Sequence, residues 1–369
     1  MELNSWLVFF TYNDFMLRTK IIATGAYIPT ERIPNDYFLN AAFSEGNREI
    51  VNQTTETVIR KFKAITGIAE RRYAALGITA SDMALMAAQE AITDARIDGE
   101  SIDQIIVAHN YGDMDYPGAP RDAVPALASR VKHKLGIHNP RCIPYDIIFG
   151  CPGWLQAVIQ ADLALRAGAA RISLVVGSET LSRVLDPSDR DSMIFSDGAG
   201  ACILQLADEG DSGILSTAVR SDTVAETGFI FSGVSNDAAD SEPKFIKMHG
   251  RKVYEYVLDH VPQAMKECLD QSGESISALK MVFLHQANEK MDEAIIKRFY
   301  GLYGIDRIPE NIMPMNISWM GNSSVATIPT LLHQVAGGQL KSFGLTKGDV
   351  ILLASVGAGM NINALTYKW

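Results

Sequence analysis

Short apolar runs rich in β-branched residues alternate with amphipathic stretches along almost the whole chain, and this limits the fold more than any other feature. Strands are predicted over 20–24, 104–109, 171–176, 200–206, 280–284 and 349–355, and helices over 81–95, 154–167, 253–271 and 289–300. A strand apolar at successive positions must be covered on both faces. The pattern therefore predicts an α/β protein built on a largely buried mixed or parallel sheet. There is also a faint internal echo. Gly150-Cys151 opens a helix-like run followed by a glycine turn and a strand; Gly321-Asn322 opens another, followed by Gly337-Gly338, Gly348 and a strand. A Gly-Ala-Gly triplet occurs once in each half, at 198–200 and 357–359. Duplication and a chance match of small residues both account for this echo. The turn at 208–212 is a natural break. It divides the chain into an N-terminal extension (1–15), a first half (16–210) and a second half (211–369).

With 369 residues the chain can bury a large core, as one big domain or two smaller ones. Its formal charge of −10 argues against nucleic acid as a partner, because phosphate binding relies on clustered Lys and Arg. A local basic patch facing an acidic carrier remains compatible with that charge. Cys142, Cys151, Cys202 and Cys268 are too few and too scattered for a disulfide scaffold, and no CxxC pair offers a structural zinc site. A reducing cytoplasm is the compartment they suit. No stretch reaches the roughly 18 consecutive apolar residues of a membrane span. Residues 6–12 are apolar, but no basic segment precedes them and no small-residue cleavage site follows. They read as an extension ahead of the fold, with Met16 as an alternative start.

Cys151 follows an apolar run ending at Phe149-Gly150 and stands directly before a long helix-like run. Pro152 suits a first helical position, and Gly150 and Gly153 permit a tight turn. A helix's positive end lowers a thiol's pKa, so Cys151 is a candidate nucleophile. The competing reading is a small cysteine filling a core gap, which is the expected role of Cys142, Cys202 and Cys268.

His285 follows a strand-like run and precedes a helix-like one, at the sheet rim where α/β proteins bind ligands. Asn322 lies at another helix start. Separately these have ordinary explanations, a hydrogen-bonded histidine and an N-cap. Together a Cys, a His and an Asn make a nucleophile and two donors. Such a set suits decarboxylative condensation: the thiolate takes an acyl group, and His Nε2–H and the Asn amide stabilise the enolate left when a malonyl unit loses CO2. The other histidines carry no comparable context.

Several motifs then follow in a specific order. They are Thr66-Gly67-Ile68-Ala69-Glu70-Arg71-Arg72, the Cys151 elbow, Gly177-Ser178-Glu179-Thr180-Leu181-Ser182-Arg183, Asp189-Arg190, Asp197-Gly198-Ala199-Gly200, His285-Gln286-Ala287-Asn288, Gly321-Asn322-Ser323-Ser324 and Gly357-Ala358-Gly359. On these residues the chain resembles β-ketoacyl-acyl-carrier-protein synthase III and its relatives in the thiolase superfamily, from about Thr19 to Lys368. The resemblance implies a thiolase fold, two pseudo-repeated βαβαβαββ halves in a five-layered αβαβα architecture. It implies Cys151, His285 and Asn322 as the catalytic triad, with an oxyanion hole from the backbone N–H groups of Cys151 and Ala358. It further implies a homodimer and no tightly bound cofactor, with acyl-CoA or acyl-carrier phosphopantetheine entering as substrate near Arg190 and Arg251. Lys290, Lys297 and Arg298 match basic positions used against an acyl carrier protein, and their spacing keeps them near one helix face. An ordinary solvated face is the alternative.

Some positions depart from the family pattern. Where it has a Trp that stacks on the adenine of coenzyme A and an Arg, this chain has Lys61 and Ile65. A carrier-bound donor is therefore expected over acyl-CoA. Val124 stands at an acyl-pocket position where some relatives have Phe, so medium or long acyl chains are expected. These differences suggest a specialised relative that joins acyl or β-ketoacyl thioesters in secondary metabolism. Acyl transfer to oxygen or nitrogen on the same fold would need the cysteine but no enolate donor. A non-catalytic scaffold would need none of the three residues.

Overall fold

The computed structural model describes residues 17–45, 49, 51–207, 210–237 and 244–369. The expected extension over 1–15 and part of the expected break at 208–212 lie outside these residues. Two mixed sheets form the frame. In the first, the order is Thr19–Tyr27, Asp197–Leu206, Ile172–Thr180, Gln104–Ala108, Ile143–Ile147. In the second it is Gly213–Ser221, Asn361–Lys368, Val350–Gly357, Leu279–Leu284. Each order begins with two antiparallel pairings and continues with a parallel one, so four strands of one sheet correspond to the four of the other.

The alternation of side chains across these strands explains their unbroken apolarity. Ile106, Val175 and Leu204 face inward with Met281, Phe283, Ile351 and Leu353 of the second sheet, enclosing the helices Gly153–Arg166 and Thr327–Ala336. Ile105, Val107, Leu174 and Val176 face outward under Ala80–Ala95 and Leu127–Leu135. Val282, Leu284, Leu352 and Ala354 face outward under Gly250–Ser272 and Glu289–Gly301. The result is five layers, helix, sheet, helix, sheet, helix, with every central strand covered on both faces.

Two expectations need correction. Among the described residues, the second half has no strand equivalent to Ile143–Ile147. The chain there meets the sheet through a hydrogen bond from Val282 N–H to Ile312 O (2.7 Å), and Pro314 has no N–H to extend a ladder. The Gly-Ala-Gly triplets are not equivalent either. Residues 198–200 lie within a strand that corresponds to Asn361–Lys368, whereas 357–359 end the strand Val350–Gly357 and turn out of it. That part of the echo is coincidence; the helix-then-two-strands order is the true repeat.

The motif over 66–72 fastens a cover over one end of the frame. Gly67 closes the helix Thr55–Thr66 in the left-handed conformation. Arg71 is fully buried and donates to Met193 O (2.9 Å), Ile33 O (3.0 Å) and Asn35 Oδ1 (2.6 Å). Five guanidinium N–H groups can tie several carbonyls at once, so one side chain bolts the cover to the loop beneath it. No helix among the described residues is long and apolar enough to cross a membrane.

Candidate active site

Cys151 stands between the strand Ile143–Ile147 and the helix Gly153–Arg166, with Pro152 at the N-cap, one position earlier than its expected place in the first turn. Gly150 has φ +64°, and a Cβ there would lie 2.6 Å from Ala358 N. A Cβ at Gly357 would overlap Cys151 N. The two loops, one from each half, therefore touch mainly through backbone, with the Pro152 ring and Cys151 Cβ also against Gly357. Their contact brings the amide nitrogens of Cys151 and Ala358 to one place.

His285 directly follows the strand Leu279–Leu284, and its backbone N–H donates to Ala354 O (2.9 Å). Its imidazole is buried and Nδ1 has no partner among the described residues. Burial pushes its pKa down to about 4, so the ring is neutral at neutral pH. Asn322 is held by its backbone to the opposite half: its N–H donates to Ile194 O (3.0 Å), and Ser196 N–H donates to its carbonyl (2.8 Å). Ser324 N–H donates to Asn322 Oδ1 at 2.8 Å. A backbone N–H can only donate, so the amide's orientation is determined and its NH2 remains for the cavity that Asn322 lines. The helix expected directly after Asn322 begins only at Thr327, beyond a short 3-10 turn.

Ser324, with φ +53°, also donates its hydroxyl to Cys151 Sγ at 3.4 Å. Behind it Asn110 Nδ2 donates to Ser324 Oγ (3.3 Å) and to Glu179 Oε2 (2.7 Å). Burial raises the Glu179 carboxyl to about 7. The expectation that the helix end favours the thiolate is corrected here. Burial pushes the Cys151 thiol up to about 11, with the Ser324 hydrogen bond pulling it down and the Glu179 charge pushing it further up. Desolvation of an anion outweighs one neutral hydrogen bond, which contributes only about 1 kcal/mol. Ser324, Asn110 and Glu179 were not singled out as site residues in the sequence. Two of them lie inside the motifs, but nothing in their spacing joins 110, 179 and 324.

Cys151, His285, Asn322 and Ser324 share the floor of a cavity of about 470 Å³. Its walls include Phe62, Met193, Phe195, Ile246, Met248 and Val257, and it opens past the exposed Gln53, Lys61, Arg190 and Tyr254. Arg190 is thus at the mouth, where it pairs with Glu45 (3.3 Å). Two expected residues are not brought to the cavity. The Arg251 side chain is 90% exposed and pairs with Glu255 on its own helix. Val124 is 86% exposed, because it follows a loop that runs over the surface of its own chain. Lys290 and Lys297 are exposed on Glu289–Gly301, whereas Arg298 is engaged by Asp259 (2.6 Å) and Leu258 O (2.9 Å).

Residues 145–223 match the family described as 3-oxoacyl-[acyl-carrier-protein (ACP)] synthase III, and residues 269–369 match its C-terminal counterpart. The chain is 32% identical to a beta-ketoacyl-[acyl-carrier-protein] synthase III of Ehrlichia chaffeensis, over 93% of this chain and 97% of that protein. It is 30% identical to one of Ruegeria pomeroyi, over 95% and 99%. Among solved structures, the 3-oxoacyl-[acyl-carrier-protein] synthase III of Aquifex aeolicus is 28% identical, with a TM-score of 0.78 over 95% of this chain and 100% of that one.

With the thiol pushed up to about 11, the thiolate fraction grows about tenfold per pH unit between pH 7 and 10. Alkylation of Cys151 by iodoacetamide, followed by peptide mass spectrometry, is expected to accelerate in that proportion. A rate that levels off below pH 8 would contradict it. Ser324→Ala removes a hydrogen bond that favours the thiolate and should slow alkylation about fivefold at pH 8.

Proposed function

The chain belongs to the 3-oxoacyl-[acyl-carrier-protein] synthase III family, and on that premise we propose that Cys151 takes an acyl group from a thioester and condenses it with a malonyl-carrier by decarboxylative Claisen chemistry, or with a β-ketoacyl-carrier. The latter has no carboxylate to lose and reacts through the carbanion left when its acidic α-proton passes to solvent. One observation carries this reading: Cys151, His285 and Asn322, from two halves of the chain, meet on the floor of one cavity. The sulfur attacks the thioester carbonyl, and the N–H groups of Cys151 and Ala358 receive the developing oxyanion. Collapse expels the donor thiolate, which takes up the proton lost by Cys151. A malonyl thioester then loses CO2, and its enolate oxygen lies between His285 Nε2–H and the Asn322 amide. The carbanion attacks the acyl carbonyl, forms the new carbon–carbon bond and releases Cys151. A donor aimed at such an oxygen contributes on the order of 3 kcal/mol. A neutral His285 serves as donor without the cost of a buried charge. Transfer to oxygen or nitrogen would leave the pinned Asn322 amide without a task.

The mouth supports a carrier-bound donor over acyl-CoA. Lys61 offers no aromatic face for adenine and is hydrogen-bonded to Gln53 (2.8 Å). The ion pairs at Arg190 and Arg251 are exposed and contribute only about 0–1 kcal/mol, so the lack of an aromatic at position 61 carries more weight than they do. We read residues 16–210 and 211–369 as the two halves; the strands of the first sheet lie within 19–206 and those of the second within 213–368. A homodimer is also proposed. The edge strand Ile143–Ile147 pairs on one side only, and Ile143 and Ile148 are exposed beside it. Val124 then reaches an acyl pocket only from a second copy. These features together favour a specialised relative acting on longer acyl or β-ketoacyl thioesters in secondary metabolism.

Intact-mass measurement after incubation with acyl-CoA and acyl-carrier donors should give an adduct on the wild type and none on Cys151→Ala. No adduct from any thioester would sink the covalent mechanism. His285→Ala and Asn322→Ala should still be acylated, yet release CO2 from malonyl-carrier about a hundredfold more slowly. Normal CO2 release by Asn322→Ala would instead favour oxygen or nitrogen transfer. The double charge reversal Lys290→Glu/Lys297→Glu should raise KM for the carrier-bound donor about tenfold and leave that for acyl-pantetheine unchanged. Equal changes in both remove the docking patch. Sedimentation should find a dimer that Val124→Asp weakens; a monomeric wild type at micromolar concentration excludes it.

A further inference from the structure

Asp191 lines the same cavity, and its carboxylate accepts no hydrogen bond and makes no ion pair among the described residues. Buried polar groups are nearly always partnered, and a desolvated anion without a donor is the costliest exception. The cations closest to it are otherwise engaged. Lys247 is held by Asp186, Asp189 (2.9 Å) and Asn236 (2.8 Å), and Arg190 pairs with Glu45 (3.3 Å). Asp191 Oδ2 lies 3.9 Å from where a Cβ of Gly250 would stand, beside the first turn of Gly250–Ser272 but not bonded to it. Along the cavity it is only partly buried, between the exposed Arg190 at the mouth and the buried Met193 and Phe195 deeper in.

Resting on the acyl-transfer reading above, we propose that Asp191 is a specificity-determining residue that accepts a hydrogen bond from an N–H or O–H of the pantetheine arm, beyond its first amide, of the incoming thioester. The chemistry selects that segment of the substrate. The acyl chain has no donor, and a phosphate would be repelled by the carboxylate. The arm between them carries amide N–H and hydroxyl groups, at the depth where Asp191 stands. Burial raises the Asp191 carboxyl to about 6, in keeping with an anion that lacks a donor.

The test compares two thioesters of one acyl chain, acyl-pantetheine and acyl-N-acetylcysteamine, the second of which ends after its first amide. Asp191→Ala should raise KM for acyl-pantetheine about tenfold with kcat unchanged. It should move KM for the truncated thioester, and the rate of Cys151 alkylation, by less than twofold. Asp191→Asn keeps an acceptor oxygen and should fall between wild type and Asp191→Ala. An acyl-pantetheine KM within twofold of wild type in Asp191→Ala overturns the assignment. A parallel loss with both thioesters and in alkylation also overturns it, in favour of a structural role. If neither thioester acylates the wild type, the acyl-transfer reading fails and Asp191's role with it; acylation of the wild type with an indifferent Asp191→Ala removes only the latter.

Discussion

The site depends on a backbone contact between two loops 200 residues apart. Gly150-Cys151 and Gly357-Ala358 press closely together, because a Cβ at either glycine would run into the opposite backbone. Two parts of the frame converge there: the helix Gly153–Arg166 begins just after one loop, and the strand Val350–Gly357 ends at the other. The central helices are gripped between the inner faces of both sheets, so the loops cannot drift apart without opening the middle layer of the core. The proposed nucleophile and the proposed donors for its oxyanion are thereby positioned by packing rather than by flexible side chains, the economical way to preorganise charge stabilisation.

Burial then sets the protonation states. His285 stays neutral and Cys151 stays a thiol at neutral pH for the same reason, the loss of water around a charge. For His285 this suits its proposed role as a neutral donor. For Cys151 it reverses the expectation drawn from the helix end. Ser324 partly offsets the effect: one residue, held in an uncommon backbone conformation, bonds the sulfur through its hydroxyl and orients the Asn322 amide through its N–H. The proposed nucleophile and the proposed enolate donor are thus positioned by a single turn.

Much of the frame was legible because period and composition report burial directly. The predicted strand at 280–284 and helix at 289–300 fall within a residue of Leu279–Leu284 and Glu289–Gly301. The Ile143–Ile147 edge strand was harder to read, since it is only partly covered and ends in an apolar run continuous with the loop. The absent fifth strand of the second sheet was hidden too. Its apolar residues resemble a strand, and only Pro314 marks the missing ladder donor. Val124 shows a further limit, because matching a position to a pocket does not reveal that its side chain is exposed and away from the cavity.

By itself the sequence determined which residue types stand at element ends, because alternation, glycine turns and helix starts are properties of neighbours along the chain. That was enough for an α/β frame and for Cys151, His285 and Asn322 as candidates; the repeated halves came with the family resemblance. Tertiary structure decided which residues share one environment. Desolvation, the Ser324–Asn110–Glu179 chain of hydrogen bonds and the unpartnered Asp191 arise from groups tens to hundreds of residues apart. A carboxylate's neighbours in space set its partners and its charge, and no local pattern records them.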